Sequence, residues 1–295
     1  MNRIALAFLF ALLSLAPNYN QANAAQNTVS PTPLRIAAAS SLRPLEADLR
    51  AAWRNEQQGL HPTAETDSAH NTPELVFIFG ASGSLATQIS NGAPFDVLMS
   101  ADAETPRQLL AAHLADPTSL TQFAYGRLVL LAAKMVDRPS EQRLIEGNFA
   151  RLAIADPRVA PYGRAALDVI DDLKLTAALA AKIVQAGSVA KTYDLVVSQN
   201  VDLGFVALST VIERRRGGGN QAVSSTDDHP VAEPFVAQSL PSNAWLVPEK
   251  YHAPIRHDAV AILQTTSHPL TKIWLQFLHS PSAKAVFTRY GYRVP

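Results

Sequence analysis

The strongest constraint in this sequence is an alternation. Short apolar runs recur from Leu34 to Leu263, and stretches with three- and four-residue apolar spacing lie between them. Leu34 to Ala39 is a run that suits a buried strand, and after it Leu42, Leu45, Leu49 and Trp53 recur at helical steps. Pro44 fits the first turn of that helix, where its missing N–H costs no hydrogen bond. The same pairing returns further on. Leu75 to Phe79, Phe95 to Ser100, Arg127 to Ala133, Leu152 to Ala155, Asp202 to Leu208 and Ala259 to Leu263 read as strands. Segments 104–114, 163–173, 176–186, 189–199, 270–279 and 283–290 read as helices. Strands and helices in alternation predict an α/β fold with a largely parallel sheet.

Two stretches break the rhythm. Residues 55–74 are polar and read as an exposed loop. Residues 213–241 carry Arg214-Arg215-Arg216, Gly217-Gly218-Gly219, Pro230 and Pro234, and read as an exposed insertion. Its arginine run is a solvated loop before it is an anion site, and no strand leads into its glycines.

The N-terminus addresses the chain outward. Met1-Asn2-Arg3 gives a basic start, Ile4 to Ala16 is apolar and uncharged, and Ala22-Asn23-Ala24 is a small-x-small cleavage pattern. This order predicts a secretory signal peptide over 1–24, with a mature chain beginning near Ala25. The apolar run is too short to span a bilayer, which needs ~20 residues. A periplasmic location follows as the expectation. The whole chain has 25 basic and 25 acidic residues, and removing Arg3 with the leader leaves a net charge of −1. That balance lacks the basic footprint of a nucleic-acid binder. Cysteine is absent, so the fold must stand without disulfides.

Chemistry concentrates where strands lead into helices. In open α/β sheets ligands sit beyond the carboxyl ends of strands, and helix N-termini there present unpaired N–H groups and partial positive charge to anions. Ala37-Ala38-Ala39-Ser40-Ser41-Leu42 and Phe79-Gly80-Ala81-Ser82-Gly83-Ser84-Leu85 are two such turns. Either alone reads as ordinary capping, since serine is a preferred N-cap. Two in one chain point to a shared anion site.

These segments resemble the molybdate-binding proteins of ABC transporters, within the type II periplasmic-binding-protein fold. So do Gly92-Ala93-Pro94-Phe95-Asp96-Val97, Ala155-Asp156-Pro157 with Ala160-Pro161-Tyr162-Gly163, Leu203-Gly204-Phe205-Val206-Ala207-Leu208, and Phe287-Thr288-Arg289-Tyr290-Gly291-Tyr292. Their order and spacing carry the likeness, from about Leu34 to the C-terminus. The resemblance implies two lobes with a ligand cleft between them: 34–124 plus 253–295, and 125–252. It implies capture of molybdate, or tungstate of nearly the same size, for delivery to an ABC transporter membrane permease by a monomeric protein. It implies no cofactor and no direct metal-ion ligand, because the metal arrives inside its oxyanion. The implied ligand-binding residues are Ser40, Ser41, Ser82, Tyr162 from the far lobe, and the backbone of Val189. Some family members carry a tyrosine where this chain has Ala207, so Tyr162 is expected to supply the phenolic donor. Arg35, Arg43, Arg164 and Lys191 flank the site and are expected to point mostly into solvent.

Two alternatives stand beside this reading. Sulfate or phosphate is the other oxyanion choice, although phosphate wants an acceptor and only Asp156 is near in sequence. A secreted serine hydrolase is the other class. Gly80-Ala81-Ser82-Gly83-Ser84 departs from a nucleophile elbow at Ser84, and no histidine can be paired with Ser82 from sequence. The histidines show no His-Glu-x-x-His spacing.

Overall fold

The computed structural model describes residues 32–60, 74–135, 140–217, 240–263 and 268–295. The leader 1–24, most of the 55–74 loop and most of the 213–241 insertion lie outside the described residues. The chain opens with β1 (Leu34–Ala39), a 3-10 turn (Ser40–Leu45) and α1 (Glu46–Leu60). Next come β2 (Leu75–Gly80), α2 (Ser82–Ser90), β3 (Val97–Met99), α3 (Glu104–Ala111) and β4 (Thr121–Gly126). A second group follows: β5 (Leu128–Ala132), α4 (Ser140–Glu146), β6 (Leu152–Ala155), α5 (Pro161–Asp172), α6 (Thr176–Leu179), β7 (Ile183–Ala186), α7 (Val189–Val197), β8 (Leu203–Ala207), α8 (Leu208–Gly217) and β9 (Ala244–Leu246). The chain closes with β10 (Ile255–Ala261), α9 (Thr271–Phe277) and α10 (Pro281–Arg289).

The strands form two five-stranded sheets, ordered β2-β1-β3-β10-β4 and β7-β6-β8-β5-β9. Each sheet is the centre of one lobe. The chain passes from the first to the second through Arg127, between β4 and β5, and returns between β9 and β10. The expected largely parallel sheet is corrected to two mixed ones. β1 pairs parallel with β2 and β3, and β6 with β7 and β8, but β10 and β5 each run antiparallel to both their neighbours. The antiparallel strands are the ones next to the crossings, where the chain enters a lobe from its other side.

Other expectations shift by a local reason. Segment 176–186 is helical only over α6 and a following 3-10 turn, Ala180–Lys182, and ends as β7. There Ile183 and Val184 pair with Leu152 and Ala153, so a β-branched pair beside an open sheet edge takes the strand. α1 runs on to Leu60 through residues read as loop, and α8 continues to Gly217 into the supposed insertion. β4, α4 and α8 have no counterpart in the sequence expectation; β4 mixes Gln122 and Tyr125 with Phe123 and Ala124, which blurs its pattern.

β1 is buried at five of its six positions, and β5, β6 and β8 at all of theirs. In the first lobe Trp53, Trp274, Phe277 and Phe77 pack largely edge-on, with ring centroids 5.1–5.7 Å apart, behind β1 and β2. This core fixes α1 and α9 to the sheet, and with them the carboxyl ends of β1 and β2.

Candidate functional site

Four carboxyl ends of parallel strands meet between the lobes. β1 feeds the 3-10 turn at Ser40, and β2 feeds α2 at Ser82. From the other lobe, β6 leads to α5 at Pro161, and β7 leads to α7 at Val189. Ser40, Ser41 and Ser82 from one side, with Pro161, Tyr162 and Val189 from the other, line one small cavity. All five residues expected to bind ligand are therefore brought together. None is more than 4% exposed, so the lobes are closed over the space.

Among the described residues, no charged side chain lines the cavity. Its polarity comes from hydroxyls and from helix N-termini, whose first N–H groups have no partner within their own helix. Ser82 Oγ accepts the N–H of Ala101 at 3.0 Å, leaving its own O–H to give away. Ser40 Oγ lies 3.5 Å from the N–H of Ala190, a contact between lobes. Ser188 caps α7 through the N–H of Lys191, and Val189, the first residue of α7, keeps an N–H that no carbonyl of its helix can take.

Tyr162 belongs to the second lobe. It sits in the first turn of α5, where Pro161 occupies the position proline favours. It is 2% exposed. α5 can approach β6 this closely because Gly163 has no side chain: an added Cβ would collide with the carbonyl oxygen of Ala155. Gly126 does the same for the ring, since a Cβ there would run into the Tyr162 hydroxyl and lie 2.9 Å from His257 Cε1. Burial, together with the neighbouring phenol of Tyr292, pushes the Tyr162 pKa well above that of an ordinary phenol. It stays a protonated donor.

Behind the cavity lies a group that sequence reasoning missed. His257 of β10 is fully buried, with Nε2 3.2 Å from Ser41 Oγ and Nδ1 3.1 Å from the carbonyl of Ile255. Burial lowers its pKa to about 4. The carbonyl of Ser41 accepts from Ser209 Oγ at 2.7 Å and from the Tyr292 hydroxyl at 2.8 Å. Ser41 is thus held by both lobes and by the C-terminal segment. His257 gave no signal in the sequence because it lies between Arg256 and Asp258, ahead of the apolar run from Ala259 that reads as a strand.

The flanking cations Arg35, Arg43, Arg164 and Lys191 are all exposed. Arg164 nevertheless pairs across the cleft with Asp102, and Arg43 lies 5.0 Å over the Phe79 ring. Gly83 donates its N–H to the Val159 carbonyl at 2.9 Å, a further bridge between lobes. Asp156 does not face the cavity. Arg158 holds it by a side-chain hydrogen bond at 2.7 Å, keeping its carboxyl below the usual range.

Comparison with known proteins matches this architecture. The family model for bacterial extracellular solute-binding proteins matches residues 34–293. The molybdate-binding protein ModA of Rhodobacter capsulatus is 32% identical over 218 residues, 74% of this chain and 77% of that protein. ModA of Azotobacter vinelandii is 31% identical over 258 residues, covering 87% and 92% of the two chains. The solved periplasmic molybdate-binding protein of Azotobacter vinelandii superposes with a TM-score of 0.71 at 29% identity, covering 89% of this chain and 99% of that one.

Proposed function

The chain belongs to the bacterial extracellular solute-binding protein family, and we propose that it captures molybdate in the periplasm for delivery to an ABC transporter. The observation that carries the reading is the cavity itself. Four helical N-termini and the hydroxyls of Ser40, Ser41, Ser82 and Tyr162 converge on it without a charged side chain. Such a site holds a fully ionised oxyanion by charge-assisted hydrogen bonds, each stronger than a neutral one. It needs no arginine paired with the anion, so release of the ligand breaks hydrogen bonds to it and no ion pair with it.

The ligand-binding residues in this reading are Ser40, Ser41 and Ser82 through their hydroxyls, Tyr162 through its phenol, and Val189 through its N–H. Ala207 lies within β8, fully buried and aligned with Leu128, so Tyr162 is the phenolic donor assigned. Tungstate fits the same donors. Phosphate at neutral pH still carries a proton and would want an acceptor, and the carboxylate nearest in sequence is committed to Arg158. Titration calorimetry of the protein lacking residues 1–24 with molybdate, tungstate, sulfate and phosphate tests this. Molybdate and tungstate are expected to bind far more tightly than the other two, and equal binding of all four would overturn the choice of cargo. Residues 1–24 act as the export signal in this reading, the protein works as a monomer, and N-terminal sequencing of exported protein is expected to begin near Ala25. Among the described residues, no helix is long and apolar enough to cross a membrane.

The hydrolase alternative draws on one observation, the contact of Ser41 with His257. We give the pair no catalytic role. A histidine with a pKa of about 4 is a poor proton acceptor at neutral pH, and its Nδ1 faces a carbonyl where a triad would place a carboxylate.

A further inference from the structure

The direction of the hydrogen bonds around His257 fixes what Ser41 can offer. A backbone carbonyl has no proton to give, so Nδ1, 3.1 Å from the Ile255 oxygen, carries the hydrogen. In the neutral ring Nε2 is then a bare lone pair. Ser41 Oγ, 3.2 Å away, must donate its only O–H to that lone pair. Yet Ser41 lines the cavity and is one of the hydroxyls that would have to donate to an oxyanion. One proton cannot serve both acceptors. If Ser41 turned its O–H to the ligand, two lone pairs would face each other in a fully buried site, which is costly.

We infer that His257 is a positioning residue acting through Ser41, and that the site takes up its oxyanion together with one proton. The proton comes from solvent and binds Nε2. Nε2–H then donates to Ser41 Oγ, and the Ser41 O–H turns to an oxygen of the anion. No covalent bond between heavy atoms changes. The empty site keeps the ring neutral because burial holds its pKa at about 4. A negatively charged ligand one hydroxyl away favours the charged ring. The other groups facing the ring permit this. Tyr162 of α5 and Tyr292 of the C-terminal segment, with centroids 6.3 and 5.2 Å away, have raised pKa values and remain neutral. Phe123 of β4 does not titrate. Asp102, following β3, favours the charged ring and is itself paired with Arg164. Arg256 and Asp258, the neighbours in β10, bond each other at 2.6 Å.

This inference rests on the oxyanion reading, and its test separates the two. Molybdate is titrated into the protein between pH 5 and 7.5 in buffers of different ionisation enthalpy, which counts protons exchanged on binding. The wild type is expected to take up protons, approaching one as the pH falls, with Kd tightening toward tenfold per pH unit where uptake is complete. In H257Q the side-chain amide can donate to Ser41 permanently, so uptake should vanish and Kd should become independent of pH. Protonation of the anion itself is common to both proteins and cancels in the comparison. Should H257Q fail to fold, nitrogen-15 NMR of wild-type imidazoles serves instead. At pH 5.5 the Nε2 resonance of His257 is expected to move from an unprotonated to a protonated position on adding molybdate. Molybdate binding without proton uptake, uptake that persists unchanged in H257Q, or an unmoved Nε2 resonance each overturns the inference and leaves the oxyanion reading standing. No binding of any oxyanion defeats that reading itself.

Discussion

Acid should destabilise the empty protein through one buried ring. His257 is fully buried, and burial lowers its pKa from 6.5 to about 4. The unfolded chain therefore takes a proton on this residue before the folded protein does, and stability falls as pH drops. The contribution is fully present above pH 6.5 and is lost on the way down to about pH 4. The gap of about 2.5 pH units, at roughly 1.4 kcal/mol per unit, amounts to about 3 kcal/mol, and most of it is gone by pH 4.5. Against a typical total of roughly 5–15 kcal/mol this is a large share. His279 shifts in the same direction but is only partly buried, while Asp258, whose pKa is raised, acts oppositely and only near the carboxylate range. Comparison with His257→Gln cancels both. Urea unfolding of the two proteins at pH 7 and pH 4.5, without ligand, measures the difference. The wild type is expected to lose about 2–3 kcal/mol more than the variant between the two conditions. Equal losses would mean that the ring is not held neutral, and the argument from its hydrogen bonds would fail with it.

Three further predictions concern the cavity. Ser82→Ala removes one hydrogen bond to a charged ligand, typically ~1.5–3 kcal/mol, so molybdate affinity measured by calorimetry should fall roughly ten- to a hundredfold. The same variant leaves the N–H of Ala101 without its acceptor, and urea unfolding should show a stability loss of about 1–3 kcal/mol. Tyr162→Phe keeps the ring but removes the donor from the second lobe. Weaker binding and less ligand-induced protection of α5 in hydrogen exchange are expected, and parent-like behaviour would exclude the phenol as a ligand. Gly126→Ala touches no ligand, yet its methyl would collide with the Tyr162 hydroxyl and crowd His257. It should weaken binding more than Tyr162→Phe does, and cost about 1–3 kcal/mol of stability from overpacking; normal binding would show that this packing is loose.

Local pattern carried much of this protein on its own. Apolar runs mark β1, β2, β6 and β8, and β1, β6 and β8 are apolar along nearly their whole length because they are buried on both faces. Small hydroxyl residues after such strands mark where an anion could approach a helix N-terminus, which is why Ser41 and Ser82 were legible before any tertiary contact was known. The Pro161 and Gly163 pair framed Tyr162 in the same way, although a proline ahead of a helix and a proline in a turn look alike in sequence. Only the register of α5 against β6 distinguishes them.

What tertiary structure decided is pairing across distance. Whether β10 and β5 run antiparallel depends on the side from which the chain re-enters each lobe, and no local period encodes that. β7 takes a strand because β6 offers an open edge. His257 stands 216 positions from Ser41, Tyr292 reaches Ser41 from the C-terminal segment, and Asp102 meets Arg164 across the cleft. Each of these side chains has an unremarkable neighbourhood in sequence. Local periodicity reports which face of an element must leave water, whereas the partner found by a buried polar atom is set only when two lobes close over it.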